Sequence, residues 1–322
     1  MRIVAALAAC AAAALCGAAH AQGAFPNRPV TMIVPFPPGG IADITGRPLA
    51  VAMAKALGQN VVVENKAGAG GAVGHAFVAK AKPDGYTIMT ALSSIVVIPE
   101  ADRVNGRPAT YQMTDFAPIA LISADPTILL VPANAPWKTL KELVDDARSR
   151  PGKISYASSG VYGTIHTCFE MLAQAANVNF LHVPYKGGGP AMVALLAGET
   201  NLGAQSPGVA NAHLKGGKIR TLGSWAGSRT AALPDVPTMK EQGFDVEFYI
   251  WAGVFAPAGL PPDVAARIRT SVREAVQDPE FKTAMANVNT PIDFREGADF
   301  DRFLDIDTKR LAAVVQKMGK TE

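Results

Sequence analysis

Two runs of the sequence carry the residue types needed to hold a small anion. Pro35-Phe36-Pro37-Pro38-Gly39-Gly40 follows an apolar run from Val30 and leads into a helical pattern from about Ile41 to Leu57. Adjacent glycines strip that turn of Cβ atoms, so backbone N–H groups and the positive end of a helix can close on an anion. A bare strand-to-helix turn is the equally open alternative. Asp43, in the first helical turn, suits the helix dipole but opposes a bound carboxylate, which leaves it to cap, to hold a water or to accept a ligand donor. Ser159-Gly160-Val161-Tyr162-Gly163-Thr164-Ile165-His166 repeats the logic after the run Ile154 to Ser158. Thr164 as an N-cap and His166 as a hydrogen-bonded first-turn residue are the local alternatives to ligand contact. The pair of loops says more than either alone, because a carboxylate-bearing ligand needs donors from opposing walls.

Other chemistries lack their templates. Gly68-Ala69-Gly70-Gly71-Ala72-Val73-Gly74 follows a strand, but a dinucleotide fingerprint needs glycine where Val73 stands, and no acidic residue follows the next strand for a ribose. There is no Gly-x-Ser-x-Gly elbow, Walker loop, His-Glu-x-x-His or Cys-x-x-Cys. His75, His166, His182 and His213 are not paired at metal-ligand spacing, so neither a metal nor a cofactor is expected. Cys168 reads as buried packing.

The elements that must position these loops alternate. Val30 to Phe36, Val61 to Glu64, Tyr86 to Ala91, Thr127 to Val131, Ile154 to Ser158, Phe180 to Tyr185 and Ile219 to Trp225 read as strands, with helical patterns between them. One helix starts at Thr139 with Glu142 as its capping-box partner, buries Leu140, Leu143, Val144 and Ala147, and stops at Pro151-Gly152. Amphipathic patterns also span Pro261 to Gln277 and Phe300 to Met318. Ile98 to Thr110 reads as an irregular excursion and Ala231 to Thr238 as a connector. This alternation predicts an α/β fold with doubly wound parallel sheets covered on both faces.

The chain has 322 residues, 49% hydrophobic and 18% charged, with 30 basic against 27 acidic side chains. That is enough for about two domains, and it suggests neither disorder nor a nucleic-acid surface. Arg2, an apolar stretch over 3–19 and Ala19-His20-Ala21 have the layout of a secretory signal cleaved after Ala21. A lipoprotein cut at Leu7-Ala8-Ala9-Cys10 would leave too short an apolar core. Cys10 and Cys16 leave with the signal, so Cys168 cannot form an internal disulfide.

Across nearly all of the exported chain the residues resemble the periplasmic substrate-binding proteins of tripartite tricarboxylate transporters, the Bug family. The landmarks come in order: Pro26-Asn27-Arg28-Pro29, Pro35-Phe36-Pro37-Pro38-Gly39-Gly40 with Asp43, Val62-Val63-Glu64-Asn65-Lys66, Gly68-Ala69-Gly70-Gly71, and Pro83-Asp84-Gly85-Tyr86. His182-Val183-Pro184-Tyr185-Lys186-Gly187, Leu233-Pro234-Asp235-Val236-Pro237-Thr238 and Phe255-Ala256-Pro257-Ala258-Gly259 follow. The resemblance implies a periplasmic binding protein type II-like fold. Two lobes flank a cleft, lobe 1 being 22–124 with 241–322 and lobe 2 an insertion at 125–240. It implies a receptor rather than an enzyme, a monomer that takes a small organic carboxylate and delivers it to membrane permease subunits. A sensor's ligand receptor and a secreted hydrolase are the alternatives. By the same resemblance Pro38, Gly39, Gly40, Ser159, Gly163, Thr164 and His166 grip the carboxylate. Phe36, Asp43, Ser93, Tyr162, Tyr185, Gln205 and Trp251, at strand ends or in cleft loops, are the expected selectivity residues. One departure stands out: many relatives place the histidine three after the Ser/Thr of the second loop, whereas His166 comes two after Thr164.

Overall fold

The computed structural model describes residues 25–230 and 233–320. The expected signal segment with Cys10 and Cys16, the cleavage point after Ala21, and Ala231 and Ala232 of the expected connector lie outside the described residues. The strands are β1 Val30–Val34, β2 Val61–Asn65, β3 Thr87–Leu92, β4 Phe116–Pro126, β5 Ile128–Pro132, β6 Ser155–Ser158, β7 Leu181–Pro184, β8 Gly203–Gln205, β9 Ile219–Ser224, β10 Tyr249–Pro257 and β11 Arg295–Glu296. The helices are α1 Ile41–Leu57, α2 Ala72–Ala79, α3 Ser94–Val104, α4 Leu140–Ser149, α5 Thr164–Ala176, α6 Gly188–Ala197, α7 Pro207–Lys215, α8 Pro262–Ala275, α9 Pro279–Asn287 and α10 Ala298–Met318.

A six-stranded sheet of order β11-β4-β10-β3-β1-β2 forms one half, and the second half holds the sheets β8-β5-β9 and β6-β7. The α/β class holds, but the sheets are mixed rather than wholly parallel. β1 lies parallel to β2 and β3, whereas β10 runs antiparallel between β3 and β4, and β5 antiparallel to β8 and β9. The difference comes from β4 and β10. Both are nearly continuous buried runs with little polar alternation, so the alternation reading passed over them. They also lie where the chain passes between the halves. Thr127 N–H donates to Phe248 O, Trp225 N–H to Thr127 O and Phe248 N–H to Trp225 O, so the outgoing and returning segments are laced together at one point.

The large sheet is packed on both faces. Met32, Leu49, Met53, Ile122, Val254, Ile268 and Val272 fill the side under α1 and α8, while Ile33, Met89, Trp251, Phe255 and Phe300 fill the other. α4 starts as its sequence demands: Thr139 Oγ accepts from Glu142 N–H at 3.2 Å. The Glu142 carboxylate reaches back one residue further than a standard capping box, to Lys138 N–H at 2.6 Å.

Ile98 to Thr110 is not wholly an excursion, because α3 runs through it to Val104 with Pro99 inside. Proline cannot donate to the carbonyl four residues back, which here is Ile95 O. The Tyr111 hydroxyl donates to that oxygen at 2.9 Å and supplies the missing bond. No local pattern reports a repair made from sixteen residues away.

Candidate functional site

The carboxyl ends of β1 and β3 point at the second half of the molecule, the edge where open α/β sheets bind ligands. β1 ends in the Phe36–Gly40 turn, with Gly39 at φ +86°. The Gly39 N–H is committed internally, donating to Asp43 Oδ2 at 3.1 Å. Asp43 also accepts from Arg47 Nε at 2.9 Å and Asn65 Nδ2 at 3.0 Å, so among the roles open to it the structure gives it capping. Burial alone would raise its carboxyl, but hydrogen bonds from Arg47, Asn65 and Gly39 outweigh this and hold it below 3.8. Asp43 takes only the Gly39 N–H before the helix and its own N–H turns back to Gly40 O at 3.0 Å, which leaves the Ile41 and Ala42 amides to whatever occupies the seam between the halves.

The second loop is built by its own residues. Gly160 and Tyr162 take φ of +119° and +54°, and Gly163 N–H donates to Gly160 O at 2.9 Å. Ser159 Oγ accepts from Ile165 N–H at 3.2 Å and so serves the turn. His166 does likewise: its Nδ1 accepts from Tyr162 N–H at 2.8 Å, and its ring stacks on His182 with centroids 3.9 Å apart. Burial, and secondarily His182, lowers His166 to about 3, and burial lowers His182 to about 4, so both rings are neutral at neutral pH. Within the protein His166 positions the loop, its Nδ1 bound to the Tyr162 N–H and its ring stacked on His182. The reason is rotational, since two residues along a helix turn through about 200°. With Thr164 on the seam, His166 must face the interior, whereas a histidine three residues on would have stayed nearer the seam.

The two halves meet through glycine-rich backbone. A Cβ added to Gly70 would fall 3.1 Å from Gly163 Cα and from Val161 O. One added to Gly189 would fall 3.1 Å from Pro38 O, and one on Gly40 3.8 Å from Gly189 N. Ser93 Oγ lies 3.4 Å from Thr164 Oγ1. The nearest cross-seam neighbours of the two predicted loops are other segments. Pro38, Gly39 and Gly40 face the Gly187–Gly189 run, while Gly163 and Thr164 face Gly70 and Ser93. α6 after Gly187 lacks a side-chain cap, as α1 does. The runs at 68–71 and 187–189 were missed as site residues. Their signal lies in the sequence as glycines between strand and helix.

The expected selectivity residues separate. Ser93 sits at the seam, and Gln205 Nε2 donates to Gly188 O at 2.6 Å, steadying that loop. Phe36 is buried edge-on to His75 with centroids 6.3 Å apart. The Tyr162 hydroxyl accepts from Asn105 Nδ2 at 2.8 Å and donates to Gly319 O at 2.9 Å. Tyr185 donates to Glu199 Oε2 at 2.9 Å. Trp251 is corrected from cleft to core: it lies on a central strand, fully buried, with Nε1 donating to Asp307 Oδ2 at 2.7 Å. Cys168 is buried and free, in keeping with packing. Ser94, Thr127 and Ser206 bury hydroxyls with no partner in the protein. An interlobe cavity of about 1010 Å3 opens beside Gly160 and Ala69.

A family model described as "Tripartite tricarboxylate transporter family receptor" matches residues 45–320. The chain belongs to that family. Among its relatives, the UPF0065 protein in the tcbD-tcbE intergenic region of Pseudomonas sp. (strain P51) is 39% identical over 267 residues, covering 81% of this chain and 78% of the relative. Protein BugT of Bordetella pertussis is 31% identical over 297 residues, covering 92% and 90%. The solved structure of the periplasmic binding protein BugD superposes with a TM-score of 0.85 at 32% identity, covering 92% of this receptor and 100% of that chain. MatC from Rhodopseudomonas palustris with bound malate is similar at 28% identity and a TM-score of 0.83, covering 90% and 100%.

Proposed function

We propose that this receptor is a monomeric periplasmic protein that captures a small organic carboxylate between lobe 1, residues 22–124 with 241–322, and lobe 2, residues 125–240. It then presents the closed form to integral-membrane permease subunits. The observation that carries this reading is the meeting at one seam of two helix starts without side-chain caps, α1 after Gly40 and α6 after Gly187, beside the Gly163–Thr164 start of α5, where Ser159 holds the Ile165 N–H. Helix N-termini with bare amides attract anions, and backbone donors from opposing lobes reward closure only when a ligand accepts from both. MatC, whose structure holds malate, is a relative with the same fold. In this reading Gly40, Ser93, Gly163, Thr164 and Gly187–Gly189 form the grip, and Asp43, Ser159 and His166 shape it.

About four charge-assisted hydrogen bonds at ~1.5–3 kcal/mol each give roughly 6–12 kcal/mol gross. Lost ligand freedom and lobe ordering subtract several, and a net near ~8 kcal/mol is micromolar, tight enough to capture and loose enough to release. Export through a signal cleaved after Ala21 completes the reading. Thermal-shift titration of the mature chain against mono-, di- and tricarboxylates should find a stabiliser. Gly40→Val and Thr164→Val should each abolish that shift; a full shift in both variants would exclude this seam.

A further inference from the structure

Beside the glycine seam, the interlobe cavity of about 1010 Å3 has a chemical character the amide grip does not explain. Its lobe 1 wall includes Ala72, Ile98 and Ala101, and its lobe 2 wall Tyr162, Tyr185 and Lys186. The walls are built. Asp102 accepts from Arg107 Nη2 at 3.0 Å, from Thr110 N–H at 2.9 Å and from Thr110 Oγ1 at 2.8 Å, which ties the 105–110 loop onto α3 as the lobe 1 rim. The Tyr162 hydroxyl, bonded to Asn105 and Gly319, fixes the lobe 2 wall against lobe 1. Arg107 is thereby committed to Asp102, whereas Lys186 forms no salt bridge among the described residues and is the cation left for a ligand.

A recess walled by alanine, isoleucine and tyrosine, next to amides that take a carboxylate, suits a ligand with hydrocarbon behind its carboxylate. The polar groups of its lining are largely engaged, Asp102 with Arg107 and Thr110, the Tyr162 hydroxyl with Asn105 and Gly319 and the Tyr185 hydroxyl with Glu199, so the extra oxygens of a small hydroxy acid would find little beyond Lys186 to bond. We propose that the preferred ligand is a ring acid, with its carboxylate at the seam and its hydrocarbon ring in this cavity, and with Lys186 attracting any second anionic substituent. This rests on the carboxylate reading above and narrows it.

Calorimetric titration of the purified protein with benzoate, phenylacetate and cyclohexanecarboxylate, against succinate and malate, tests it. At least one ring acid should bind tenfold or more tightly than both of the others. Val161→Trp, at an exposed residue of the cavity wall, should fill the recess and weaken that ring acid at least tenfold with little change in the thermal midpoint of the free protein. Lys186→Ala should weaken phthalate about three- to tenfold more than benzoate. Succinate or malate binding more tightly than every ring acid, or a filled cavity that leaves ring-acid affinity intact, would overturn this proposal alone. Silence from all of these acids would overturn the carboxylate reading with it.

Discussion

Gly70→Ala separates closure from folding. Gly70 has φ +66°, where an alanine costs about 1–2 kcal/mol whether the lobes are open or shut, so this cost cancels from a closure equilibrium. The added Cβ, however, would stand 3.1 Å from Gly163 Cα and Val161 O and 3.2 Å from Gly163 N. All three are backbone atoms of the opposite lobe and cannot rotate aside. Only the closed form bears that crowding, at about 1–3 kcal/mol, which appears as a roughly 5- to 150-fold loss of affinity for whichever carboxylate binds best. Gly58→Ala is the matched control, because Gly58 has φ +69° and open space where its Cβ would go. It should lose comparable stability and no affinity. Calorimetry gives the affinities, and small-angle scattering with saturating ligand reports whether the variant still compacts. Unchanged affinity in Gly70→Ala, or an equal loss in Gly58→Ala, refutes the seam as the closing surface.

His166→Phe strands the Tyr162 N–H without its acceptor and should cost about 1–3 kcal/mol in denaturant unfolding, with weaker ligand binding. His166 is lowered from 6.5 to about 3, so its contribution is complete above pH 6.5 and is lost as pH falls towards 3. The variant should show a shallower acid limb, and an identical limb would contradict the assignment. Asp43 is held below 3.8, so its contribution is present above that value and disappears as pH falls through the folded value. Asp43→Asn should be about 1–3 kcal/mol less stable at pH 7 and nearly equal to the parent at the lowest pH where both fold; an equal gap at both would argue against it. Asp125, at the end of β4, has the opposite sign. Burial drives its carboxyl well above 3.8, against a smaller lowering from the neighbouring Thr290 hydroxyl. The stability it allows is full below 3.8 and is lost as pH rises through the folded value, so Asp125→Asn should match or exceed the parent at pH 8. A parent more stable than the variant at pH 8 would mean that the carboxylate is charged and paired.

What could be read without coordinates was whatever is local in physical cause. Thr139 with Glu142 starts α4 because a hydroxyl and an amide three residues apart must meet there. Gly39-Gly40 and Gly163 open the turns after β1 and β6 because residues lacking Cβ let another surface approach the backbone closely. The side-chain period of α8 and α10 marks their buried faces wherever they pack. Other features depend on pieces distant in sequence, and only the tertiary structure decided them. The antiparallel seat of β10 between β3 and β4, the Tyr111 hydroxyl that completes α3 around Pro99, and the burial of Trp251 belong to this group. So does the choice of facing loops, Gly40 with Gly189 and Gly163 with Gly70. A glycine run announces that something can approach closely; which surface approaches is set by how two lobes, each folded around its own sheet, are turned at their shared strands.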